Sequence, residues 1–269
     1  MTCGDDSVQS TTSDVQTLTI ETVVAAFRAD PAAPRPLSQM ADMAGWSPFH
    51  FSRVFRAVVG VSPGAFHAAL RIERAKHLLL TTDLPVTEVC FEVGYDGLGS
   101  FTTRFTRLVG VPPGRLRRLP ELVAPVLASL PGALEPRLSV SPPSGSGITG
   151  RIVGGAENAL VFVGAFPNGI AQGVPMAGTV RSGSGDFRLG AVPDGRYRLL
   201  AVALPTTVDP VGALLPAPTL VGAAPSRVEV RRGRAERPVD VVLRPPLPTD
   251  GPVLVALPAL LLHPADARR

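Results

Sequence analysis

Residues 37–64 recur, with changes, as residues 86–114. VFRAVVGVSPG, from Val54 to Gly64, lies over RFTRLVGVPPG, from Arg104 to Gly114, at an offset of fifty residues, with Phe51 over Phe101 and Phe55 over Phe105. Upstream the offset falls to forty-nine, where Gly45-Trp46 meets Gly94-Tyr95, so the second copy holds one extra turn residue. Each copy therefore reads as the same unit.

Within each copy the apolar residues recur at three and four, as in Phe51, Val54, Phe55 and Val58, which is the helical period. Gly45 and Gly94 can close a short first helix at positive φ, with Trp46 and Tyr95 beside the turn. A longer helix then starts near Ser47 in the first copy and near Ser100 in the second. Ser47-Pro48 and Ser62-Pro63 each combine an N-cap with a first-turn proline. Ser62-Pro63 opens GAFHAALRIERAKHLLL, whose Ala65, Ala69, Ile72, Ala75 and Leu79 keep one face apolar. The copies therefore read as two helix-turn-helix units joined by a rigid helical strut.

Residues 37–118 resemble the double helix-turn-helix DNA-binding domain of AraC/XylS-type transcription regulators. The resemblance rests on SPFHFSRVFRAVVGVSPGAF, RIERAKHLLL and VGYDGLGSFTTRFTRLVGVPPGRLRR in that order, over about eighty residues. It implies that the second helix of each unit enters a major groove, the two about one DNA turn apart. In the first unit Phe51, Val54 and Phe55 face the core, which leaves Phe49, Ser52, Arg53 and Arg56 for the duplex. Arg53 is the expected base reader, since a guanidinium can donate two hydrogen bonds to guanine, and Phe49 is placed to touch a thymine methyl. The second unit departs from the family pattern, with Thr103 where a groove-facing Arg is usual. Its candidates are Leu98, Gly99, Thr102, Thr103 and Thr106, with Arg107, Arg115, Arg117 and Arg118 expected on the DNA backbone.

Proline divides the chain, with nine in residues 1–120 and twenty in 121–269. The expected fold class is multidomain α and β. Residues 1–14 form an unstructured N-terminus, 15–119 the all-α double helix-turn-helix domain, 120–146 a Pro-rich linker, 147–246 an all-β sandwich and 247–269 an apolar, packed tail. Phe187 and Leu189, then Pro193-Asp194-Gly195, then Tyr197 and Leu199 predict two antiparallel strands joined by a turn. Ile148–Val153, Leu160–Phe166, Val228–Val230 and Val239–Leu243 add strands. The unit GxFxLxxVPxGxYxL from Gly185 to Leu199 resembles the carboxypeptidase regulatory-like, transthyretin-like β-sandwich, whose pattern is structural and carries no catalytic residues.

The formal charge is +4 from 25 Arg, Lys76 and 22 acids. Residues 37–120 hold ten basic and six acidic residues, so the helical half accounts for the whole excess. Cys3 and Cys90 make no disulfide framework, and Cys90 among Val89, Phe91 and Val93 reads as a small buried hydrophobe. His50, His67 and His77 lack ligand spacing for a metal. The β half has one His, no Cys and no base for a nucleophilic Ser, which excludes an enzyme reading. PVLVALPALLL, from Pro252 to Leu262, is too short to span a bilayer, and no export signal opens the chain, so a cytoplasmic location is expected.

The expected function is sequence-specific binding of double-stranded DNA by a transcription regulator without cofactor or metal. The β half is expected to sense a small-molecule or protein effector or to form a homodimer. The alternative is a protein-interaction adaptor with a degenerate DNA-binding domain.

Overall fold

The computed structural model describes residues 5–128, 147–156, 159–190, 192–205, 209–257 and 259, with side chains in the helical half from residue 14 to 125. The helical half runs α1 (Asp5–Ala29), α2 (Leu37–Met43), α3 (Pro48–Val59), α4 (Pro63–Thr81), α5 (Val86–Glu92), α6 (Leu98–Val109) and α7 (Pro113–Ala128). Helix α1 begins at Asp5, inside the N-terminus 1–14 that the sequence predicts to be unstructured, and α7 continues through Pro120 and Pro125, where a linker is expected. The burial of Leu119 and Val123 explains this continuation, because packing outweighs the hydrogen bonds that the two prolines remove. The rest of the expected linker, 129–146, lies outside the described residues.

The duplication becomes two cores that share one strut. Ile20, Val23, Val24 and Phe27 of α1 pack with Met40, Phe51, Val54 and Phe55 and with Phe66 and Leu70 at the start of α4. Ile72, Ala75, Leu78 and Leu79, further along α4, pack with Val89, Cys90, Phe101, Phe105, Leu116 and Leu119. Equivalent rings meet in each core, Phe51 and Phe55 at 5.5 Å and Phe101 and Phe105 at 5.6 Å between centroids.

The β half contains β1 (Ile148–Val153), β2 (Ala159–Phe166), β3 (Ala177–Ser182), β4 (Gly185–Leu189), β5 (Gly195–Pro205), a short helix α8 (Pro210–Leu214), β6 (Leu220–Ala223), β7 (Val228–Arg231), β8 (Arg234–Ala235) and β9 (Val239–Arg244). Seven strands follow the order β3-β2-β5-β6-β9-β1-β4, and β7 and β8 branch from β5. The outermost strands, β3 and β4, lie against each other, so the sheet forms a nearly closed barrel where the sequence predicts a sandwich. Phe187, Leu189, Tyr197 and Leu199 all point into its core, as their alternation requires.

The predicted pairing of the two strands carrying those residues does not occur. Strand β4 pairs with β1, and β5 pairs with β2, β6 and β7. The Pro193–Gly195 turn is tied elsewhere, because Asp194 Oδ1 accepts the Gly233 N–H of the β7–β8 turn at 2.8 Å. Tyr197 donates its hydroxyl to the Pro193 carbonyl at 3.0 Å. Period-two alternation specifies the face of a strand and leaves its neighbour open.

The two halves are packed together. Residues 253–257 run between them and alternate: Leu254 and Ala256 enter the core of the second helical unit, while Val253, Val255 and Leu257 cover the outer face of the sheet beside Phe162, Phe166 and Val202. Ala256 N–H donates to the Val109 carbonyl at 3.1 Å, and Arg28 donates to the Pro248 and Asp250 carbonyls at 3.1 and 2.7 Å. The packing expected of the tail is thus present as far as Leu257, and residues 260–269 lie outside the described residues.

Candidate nucleic-acid interface

Helix α3 presents the first reading surface. Ser47 caps it by accepting the His50 N–H at 3.4 Å, Pro48 occupies its first turn, and Gly60 closes it at φ 85° with its N–H on the Arg56 carbonyl. Burying Phe51, Val54 and Phe55 fixes the rotation of the helix and turns Phe49, Arg53 and Arg56 outward. Phe49 is 82% exposed, unusual for an aromatic side chain in a folded domain. Ser52 is half-buried beside them. Arg53 Nη2 lies 3.3 Å from His50 Nδ1, and the His50 ring meets the edge of Trp46 at 5.1 Å between centroids. This stack steadies the guanidinium, which has no carboxylate partner among the described residues.

Helix α6 is the equivalent element with different chemistry. It starts at Leu98 with Gly97 at the cap, two residues before the predicted start near Ser100, because Asp96 is the one extra turn residue and Gly97 stands where Ser47 caps the first copy. Ser100 sits inside the first turn and donates to the Gly97 carbonyl at 2.8 Å. Phe101, Phe105, Leu108 and Val109 are buried, while Thr103 and Arg107 are exposed and Thr102 half-buried. Thr106 donates to the Thr102 carbonyl at 2.8 Å, so its hydroxyl proton is already engaged. Where α3 stacks Trp46, His50 and Arg53, α6 offers Tyr95, Ser100 and Thr103, and the Tyr95 ring is covered instead by Arg71 at 4.1 Å.

Arg117 departs from expectation. It is half-buried and donates to the carbonyls of Leu79, at 3.3 Å, and Leu84. It satisfies the C-terminal end of α4 and the chain that follows, so its guanidinium is spent inside the fold. Arg118 is exposed on the same helix.

The β half meets the far ends of both reading helices. Gly169 lies against Gly60 and Val61 after α3, where an added Cβ would come within 3.1 Å of the Gly60 oxygen. Gly173 donates its N–H to the Leu108 carbonyl at 2.5 Å, and Val174 lies against Gly110 after α6. One loop thus touches the same corner of both units and leaves the N-terminal halves of α3 and α6 open. No signal in the sequence marks residues 169–174 for this contact, since their partners are distant in the chain.

Three cationic side chains missed by pattern reading converge on the other side of α4: Arg35, Arg71 and Arg104 line one crevice with His67. Their spacing on α4, at 67 and 71, is a plain i, i+4 pair, but Arg35 and Arg104 come from elements the sequence does not bring together. Burial and the neighbouring Arg71 and Arg35 lower the His67 pKa from 6.5 to about 4, so its imidazole is neutral at pH 7. Cys90 is buried, which pushes its thiol pKa up and makes it a packing residue. Among the described residues, no helix is long and apolar enough to cross a membrane.

A family model described as a helix-turn-helix domain matches residues 40–119. The chain is 35% identical over 89 residues to the transcriptional regulator GlxA of Rhizobium meliloti, covering 32% of this chain and 28% of that protein. It is 33% identical over 81 residues to the transcriptional activator AarP of Providencia stuartii, covering 30% of this chain and 60% of that one. Among solved structures, the DNA-binding domain of AdpA, crystallised in complex with a target DNA, is similar at 26% identity and TM-score 0.38, over 39% of this chain and 96% of that one. The chain therefore spans between about a quarter and three fifths of these two regulators. Residues 40–119 are a helix-turn-helix domain, and the proteins they resemble are transcription regulators.

Proposed function

We propose that the protein is a sequence-specific transcription regulator that reads double-stranded DNA with α3 and α6 in adjacent major grooves. The observation that carries this reading is the outer face of α3, where Phe49, Arg53 and Arg56 stand exposed over a fully buried opposite face. In the proposed complex Arg53 reads guanine, Phe49 packs on a thymine methyl, and Ser52 and Arg56 flank them. Helix α6 contributes Thr102, Thr103 and Thr106, with Arg107 on phosphate. Most discrimination therefore comes from the first half-site.

The β half is the regulatory part of this proposal, sensing an effector or forming a homodimer. Its contact with both corners gives it a route to the angle between the reading helices. The Gly185–Leu199 motif supports a carboxypeptidase regulatory-like module. A soluble cytoplasmic location follows from the proposed access to DNA.

The test is selection of duplexes from a random pool by the full chain, followed by fluorescence anisotropy of wild type and Arg53→Ala. Loss of one bidentate base contact, worth about 1–3 kcal/mol, lowers affinity for the selected site by about tenfold to a hundredfold and leaves a scrambled duplex unchanged. Equal loss on both duplexes removes Arg53 as the reader. Failure to enrich any sequence favours the adaptor reading, which draws its support from the threonine-rich face of α6.

A further inference from the structure

The crevice between the two helix-turn-helix units is a cavity of about 460 Å³. Gly64, His67 and Arg71 of α4 form its floor, Arg35 enters from the α1–α2 connection, and Tyr95 and Arg104 close the side of the second unit. Among the described residues, no carboxylate lines it. The nearest acid acting on His67 is Asp30, and its Oδ1 already accepts the Ala33 N–H at 3.2 Å.

Its donors are undersubscribed. The Nε atoms of Arg35 and Arg104 and the Nε2 of His67 are buried without a hydrogen-bond partner, and His67 is only 6% exposed. Arg35 reaches the Ala26 and Asp30 carbonyls only at 3.4 Å, while Arg71 is oriented by the Val93 carbonyl at 2.7 Å, by the Gly94 carbonyl and by the ring of Tyr95, which leaves its Nη1 for a ligand. Buried polar atoms without partners are destabilising, and three like charges converging with no counterion among the described residues add to that cost. Both penalties are relieved by a single group: a tetrahedral oxyanion, whose oxygens match the planar guanidinium forks.

We infer that this crevice is a phosphate-binding site. Arg104, Arg71 and Arg35 hold the anionic oxygens. Neutral His67 accepts the P–OH of a monoester or of hydrogen phosphate, and protonated His67 donates to a phosphodiester. The phosphate comes either from a DNA strand crossing between the two grooves or from a free phosphorylated molecule. The DNA source rests on the function proposed above, and the anion chemistry does not.

The test follows the His67 imidazole resonance of the full chain by NMR, assigned with His67→Asn, as inorganic phosphate is added against chloride at equal ionic strength. The expected result is a saturable shift that chloride does not reproduce, weakened about tenfold or more in Arg104→Gln and in Arg35→Gln and retained in Arg53→Ala. Melting curves of both variants separate lost binding from lost folding. A selected duplex that moves the same resonance and competes with phosphate assigns the site to the DNA backbone, and a response to phosphate alone assigns it to a free ligand. No saturable response to either phosphate or duplex in the folded protein overturns the inference. Because Arg53→Ala removes sequence discrimination without touching the crevice, failure of DNA reading and failure of this site give different results.

Discussion

The ammonium of Lys76, in the connecting helix of the DNA-binding domain, donates to the backbone carbonyl of Val253 at 3.2 Å, tying the strut between the two reading units to the segment that leads out of the barrel. Lys76 is 2% exposed and is the single lysine of the chain. Burial lowers its pKa from 10.5 to about 8, against the attraction of Glu73 one turn earlier on α4. Between those values the unfolded chain binds the extra proton, so stability rises with pH. Wild-type protein therefore gains stability between pH 8 and 9.5 in urea titrations relative to Lys76→Met, which lacks the group. Parallel curves for the two proteins would contradict the burial of the charge.

His67 gives the opposite end of the pH range. Its pKa of about 4 lies below the 6.5 of the unfolded chain, so acidification through that window loads protons on the unfolded state and stability falls. The shift corresponds to at most about 3 kcal/mol between pH 7 and pH 4. His67→Gln flattens that part of the stability profile, measured by denaturant unfolding at a series of pH values. An unchanged slope in the variant would assign the acid loss to other groups.

The equivalent turn glycines Gly45 and Gly94 are not equally replaceable. Both adopt positive φ, at 67° and 78°. An added methyl at Gly45 meets open space and costs the conformational strain alone, about 1–2 kcal/mol. At Gly94 it runs into the Ala32 carbonyl oxygen and the Arg71 guanidinium. Gly94→Ala is therefore expected to cost about 3 kcal/mol or more, and thermal unfolding of the two variants compares them directly. Equal melting temperatures would mean that the α1–α2 connection yields freely.

Arg107 and Arg117 separate surface charge from internal bracing. Arg117→Ala removes two donors from the Leu79 and Leu84 carbonyls and lowers stability by about 1–3 kcal/mol, with DNA affinity of the folded protein unchanged. Arg107→Ala leaves the melting temperature within about a degree and weakens binding to all duplexes alike. The reverse pattern would place the DNA backbone along α7.

The duplication made the helical half legible because each copy carries its own period, cap and turn, and these local terms agree with the packing. Alternation likewise oriented Phe187, Leu189, Tyr197 and Leu199 correctly. Strand pairing was not legible, because the hydrogen bond that ties Asp194 to Gly233 joins residues whose chemistry gives no sign of the other. The same limit hid the seam, since alternation in Val253–Leu257 fits any two apolar faces. Of the candidate site, the exposed face of α3 follows from its buried face. The inward turn of Arg117 depends on the unsatisfied carbonyls of a helix end forty residues earlier, and the crevice depends on three arginines from three elements.

In the proposed complex α3 and α6 together neutralise and read a duplex. Fluorescence anisotropy of the full chain on its selected duplex, titrated from about 50 to 200 mM salt beside a scrambled control, tests it most directly. Affinity is expected to fall at least about a hundredfold over that range, with the selected duplex preferred throughout. An affinity nearly independent of salt, equal on both duplexes, would contradict it.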